Sequence, residues 1–229
     1  MKKNFFTPLT ATLILVLSIF SIFFSGCSTK EKPLSLHVSE LRSNVYSGKC
    51  EYTTLTATYG YRETPYSQDG SVAQKIYALT FTCSEGLNTE ISHFISLDYN
   101  GKNYKTILRL NPTKNALQAT MPIENFNCDT FVAILSYGTE NQQITMTSLL
   151  PKNMLNHQNA LEKLQEKQPS LIKSMCDDKG NFQGEIYQRA VVKNGKCYWY
   201  VGLIDKSGKI KAFLLDGISG EPLAVREIF

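Results

Sequence analysis

The chain has 229 residues, and 24 Lys and Arg against 20 Asp and Glu give a net charge of +4. Setting aside Lys2 and Lys3, which belong to a leader-like start, leaves +2, too mild to indicate nucleic acid or a strongly anionic substrate. Twelve Tyr, many Thr, Val and Ile, and few long helical runs favour strands, with no tandem repeat or low-complexity tract.

Met1–Cys27 places Lys2 and Lys3 before a run from Ala11 to Phe24 that is apolar apart from Thr12, Ser18 and Ser21. Small Ser25 and Gly26 then precede Cys27. Charge, apolar run and small residues in that order read as a secretory signal. An uncleaved anchor is the alternative, but the 14-residue run gives about 21 Å of helix, short of the about 20 apolar residues a bilayer core needs. Ser-Gly followed by a thiol resembles a bacterial lipoprotein lipobox, with Phe24 where Leu is usual. The resemblance implies a diacylglyceryl group on Cys27, cleavage before it, and attachment at the outer face of the cell membrane. Residues 1–26 are then the signal, 27–33 a tether, and the rest folds outside the cytoplasm.

Residues 34–150 read as one β domain. Leu34, Leu36 and Val38 alternate with Ser35 and His37, and Glu51–Tyr59 alternates loosely. Lys75–Cys83 is a strong strand pattern. Ile91–Tyr99 and Tyr104–Leu110 flank Asn100-Gly101, the clearest hairpin signal in the chain. Ala116–Met121, Thr130–Tyr137 and Gln142–Leu149 complete about eight short strands, which predicts an immunoglobulin-like β-sandwich. Gly60–Gln74 reads as a long loop. Its Tyr61, Arg62 and Tyr66 are candidate partner contacts, because Tyr and Arg anchor interfaces most often. The alternative is that the tyrosines cover the end of the sandwich and Arg62 pairs locally.

Residues 151–229 read as a small α+β module. Met154, Leu155, Ala160, Leu161 and Leu164 fall near helical spacing, Asn153 or Asn156 can cap the helix, and Pro169 ends or breaks it. Four strand patterns follow, at Glu185–Val192, Cys197–Ile204, Lys209–Leu215 and Pro222–Ile228. Trp199, between Tyr198 and Tyr200, is either a binding platform on the sheet or part of the core. Asp216, Ser219, Gly220 and Glu221 follow the Asp-x-x-(Thr/Ser)-Gly-Glu turn of PepSY-type modules, and residues from Met154 to Phe229 resemble such a module. That resemblance implies a helix before a small antiparallel sheet and a binding role towards a surface peptidase or another envelope process. Pro222 departs from the pattern and favours an edge strand.

His37, His93 and His157 are scattered without metal-ligand spacing, and no HExxH, GxSxG, P-loop or GxGxxG occurs. The expectation is a binding protein rather than an enzyme, without cofactor or metal. It is tied to the membrane through Cys27, with an unknown envelope protein or wall component as partner and no nucleic acid. A structural spacer and a hydrolase with a dispersed site are the alternatives. Cys50, Cys83, Cys128, Cys176 and Cys197 remain besides Cys27, and Cys176 and Cys197 are placed to close one loop.

Overall fold

The computed structural model describes residues 33–64, 73–83, 86–88 and 90–228. The readings at Met1–Cys27 and at Tyr66 lie outside the described residues. Residue 33 opens into a 3₁₀ turn, Leu34–His37, because Leu36 N–H donates to the carbonyl of Pro33 at 3.0 Å. The alternation of Leu34, Leu36 and Val38 is therefore a turn, and the first strand starts where it ends.

Eight strands follow: β1 Val38–Lys49, β2 Thr54–Glu63, β3 Lys75–Cys83, β4 His93–Tyr99, β5 Lys102–Asn111, β6 Ala116–Pro122, β7 Thr130–Tyr137 and β8 Glu140–Ser148. They are hydrogen-bonded in the order β1-β2-β3-β6-β5-β4-β7-β8, and β8 pairs back onto β1. The closure is short. Tyr46 faces Ser148, Ser47 faces Thr147, and Leu149 N–H donates to Val45 O at 2.8 Å. The expected immunoglobulin-like sandwich is thus corrected to a closed antiparallel barrel. Alternation reports which strands have a buried face, and a barrel and a sandwich share that signal. They differ in whether the first and last strands meet, and closure removes both edges.

The barrel interior is filled with side chains. Leu55, Leu79, Phe81, Ile95, Leu97, Leu135, Ile144 and Met146 are all 2% exposed or less. Phe126 packs edge-on to Phe131 at 5.1 Å and to Tyr46 at 5.9 Å between ring centroids. Asn100 and Gly101 both take positive φ, 51° and 72°, which turns β4 tightly into β5.

The second part adds helix α1 (His157–Lys167), the short α2 (Pro169–Ser174), and strands β9 Glu185–Lys193, β10 Lys196–Ile204, β11 Ile210–Asp216 and β12 Pro222–Ile228. Asn156 caps α1 by accepting from Asn159 N–H at 2.8 Å, and Pro169 opens α2 at its first turn. The four strands form an antiparallel meander with β12 at its edge. That edge position suits Pro222, which lacks an N–H for a ladder. β9 pairs in parallel with the first half of β1, so one continuous sheet of twelve strands runs through both parts. Ala160, Leu161 and Leu164 of α1 pack on Ile186, Trp199, Val201, Phe213 and Leu215 in a second core.

β1 serves both cores. Val38 and Leu41 point into the second core, and Tyr46 points into the barrel. Leu41 and Tyr46 pair with Tyr61 and Ala57 on one face of β2, and the bulge between Arg42 and Asn44 keeps both on that face although they are five residues apart. Gly60 lies opposite the bulge. A Cβ there would stand 1.7 Å from the carbonyl oxygen of Leu41.

Candidate ligand-binding groove

Outside the barrel, the row Arg42–Gly60–Ala78–Pro122 crosses β1, β2, β3 and β6. Its middle carries almost no side-chain bulk, and the result is a concavity of about 370 Å³. Thr58, Thr80 and Thr120 form the next row, with Thr80 and Thr120 hydroxyls 3.4 Å apart. On the other side stand Arg62 and the half-exposed Ile76. A second concavity of about 520 Å³, lined by Ser39, Glu63, Glu185 and Tyr187, shares Glu40 and Arg62 with the first. The strands of the floor all have neighbours on both sides, so their backbone groups are used in ladders. Anything bound here meets side chains.

The charges of this groove are unevenly matched. Glu40, with a side chain 12% exposed, lies 3.0 Å from Arg42 Nη2 and 3.1 Å from Arg189 Nε. One part-buried carboxylate thus orients two guanidinium groups, and its single charge balances only one of them. Arg62 faces Glu40 and Ile76 in register but pairs with no carboxylate among the described residues, and the same holds for Lys114. Glu63 meets Lys75 only loosely, at 3.9 Å. Glu185 accepts from the Ser39 hydroxyl at 3.2 Å and has no basic partner among the described residues. Arg42 and Lys114 therefore line the first concavity, Glu63 and Glu185 the second, and Arg62 stands between them.

The sequence-derived candidates separate here. Arg62 is exposed and central to the groove. Gly60–Glu63 belongs to β2, so the connection expected at Gly60 starts only at Thr64. Tyr61 is corrected from a loop contact to a core residue: it is 9% exposed, and its hydroxyl donates to Val38 O at 3.2 Å. Lys75 Nζ lies 4.4 Å from the centre of its ring. Burial, with Tyr77 and Glu63 adding to it, pushes the Tyr61 hydroxyl pKa up to about 12. Trp199 is likewise core, 2% exposed, with Nε1–H donating to Leu155 O at 2.9 Å. It has no exposed face to offer a partner. Arg42, Lys114, Glu185 and Tyr187 were not singled out in the sequence, because they come from β1, the β5–β6 turn and β9, and only the register brings them together.

A larger open groove of about 580 Å³ lies beside α2, floored by Leu171, Met175, Leu203 and Ile210. Its carboxylates are already engaged. Asp177 and Asp205 accept backbone N–H groups of their own turns, and Glu227 pairs with Lys211 at 2.9 Å. His37, His93 and His157 lie apart: His37 on Phe182, His93 on Tyr137, and His157 at the start of α1. Among the described residues no three His, Cys, Asp or Glu groups converge as a metal site requires. Cys176 and Cys197 do not form the loop-closing bond considered for them. Their thiols donate to Ile172 O and Leu149 O.

Comparison with protein-family models, curated proteins and solved structures finds no match to this chain.

Proposed function

We propose that this chain is a lipid-anchored extracytoplasmic binding protein that presents the charged outer face of its barrel to a partner in the cell envelope. The leader supports the address, since Met1–Cys27 has the order of a lipoprotein signal with Cys27 as the modified residue. The unmatched charges of Arg62, Lys114 and Glu185 on one concave face carry the binding reading. Charges left without intramolecular partners on a shaped surface are available to a ligand, whereas scattered surface ions contribute little to folding. Residues 151–229 are read as a PepSY-like module modulating a surface peptidase or another envelope process. This part of the reading is supported by the helix-then-meander order and by the Asp216 carboxylate, which accepts from Ile218 and Ser219 N–H at 3.0 and 2.8 Å.

Two measurements test the proposal. Mass spectrometry of the mature protein is expected to find two acyl chains on Cys27, and an unmodified thiol there removes the anchor. Cross-linking in intact cells is expected to capture an envelope component with wild type and to lose it with Arg62→Glu. Equal capture by both would remove the groove from the proposal.

A further inference from the structure

We propose that the groove takes a short extended peptide carrying a carboxylate at one end and an ammonium at the other. This rests on the binding reading above and names the ligand class of the same face. Three observations carry it. The unmatched charges are of opposite sign and lie apart: Lys114 lines only the first concavity, Glu185 lines only the second, and Arg62 stands where the two meet. Each end selects its counter-charge, and a ligand with one charge would satisfy only one end. The groove also has length. From Thr58 to Arg62 along the outer face of β2 is about 13 Å at about 3.3 Å per residue, and the second concavity extends the groove beyond Arg62 to Glu185, room for a short extended peptide. Between the ends, Gly60 and Ala78 leave room for a backbone, Thr58, Thr80 and Gln118 offer donors and acceptors, and Ile76 and Tyr187 offer apolar contact. A simple anion would need the Arg42–Lys114 end alone and would leave Glu185 unused.

The orientation follows from the charges. The peptide carboxylate lies towards Arg42 and Lys114, its amine lies towards Glu185, and Arg62 meets its backbone carbonyls between the two. Arg42 is held by Glu40 and serves as a fixed wall, while Arg62 and Lys114 have no such partner among the described residues and supply the unspent attraction.

Pentaalanine with free ends is the probe, titrated into the full chain in detergent micelles and followed by calorimetry or NMR. Saturable binding is expected. N-acetylation and C-amidation should each weaken it at least fivefold, as should raising salt from 0.15 to 0.5 M. Arg62→Glu and Glu185→Lys should do the same, and both side chains are exposed, so an unchanged melting temperature certifies that the variants are folded. No binding of the free peptide, indifference to either cap, or acetate binding as tightly as the peptide would overturn the ligand class. If envelope capture still depends on Arg62 when pentaalanine fails, the binding face stands and only the zwitterionic peptide is lost.

Discussion

Gly60 is the residue on which the groove depends most directly. Its missing side chain lets β1 bulge towards β2 and keeps the floor low. Gly60→Ala should lower stability by about 2–3 kcal/mol in urea unfolding, because the new methyl meets backbone that cannot step aside. Trp199→Phe should cost about 2 kcal/mol in the same assay, since it leaves a void and strips the Leu155 carbonyl of its donor. His157 gives a pH signature. Burial, with Lys75 adding to it, holds its pKa below 6.5. The unfolded chain then binds the proton more readily, so stability is full above pH 6.5 and falls as pH drops from there through the lower folded value. Thermal melts should show that loss in wild type and a flatter profile in His157→Gln. The carboxylates of Asp177, Asp205 and Asp216, held low mainly by hydrogen bonds from their own turns, act only at still lower pH.

At the level of elements, local chemistry was legible where it is self-contained. β3, β7 and β12 fall on the residues their patterns mark, and both Asn-Gly pairs turn hairpins, Asn194 and Gly195 with φ of 53° and 71°. Asn156 caps α1, and Asn156→Ala should cost about 1 kcal/mol, measured as a fall in the urea midpoint. β1 was not legible, for a physical reason. Its buried residues are Val38, Leu41 and Tyr46, and the bulge breaks the two-residue period that would have marked it. Missing β1 hid the barrel closure, and it hid Arg42 as well. Arg62 was singled out on residue type and stands in the groove. Tyr61, its neighbour, points to the other side of the same strand. Alternation within β2 makes that distinction only once the strand is known to continue to Glu63.

Across the whole molecule, two cores share one sheet and one strand. Residues 33–229 form a single compact unit, and Tyr77 packs against both cores. Heating should therefore give one calorimetric transition, with the van't Hoff enthalpy matching the calorimetric one. A two-step melt would mean that the meander and the barrel fold separately. Truncation after Leu150 should fail to give a soluble barrel, since it uncovers Val38, Leu41 and Tyr61.

The shared strand also governs how the protein meets tension. A pull entering at Pro33 runs along β1, which has β2 on one flank and β9 on the other. The load falls in shear on both ladders at once, and many hydrogen bonds must yield together. Peeling from β12 breaks one row at a time. An anchor of the kind proposed, placed ahead of β1, would load both ladders in shear, and optical-trap pulling along β1 should demand more force than peeling β12 from β11.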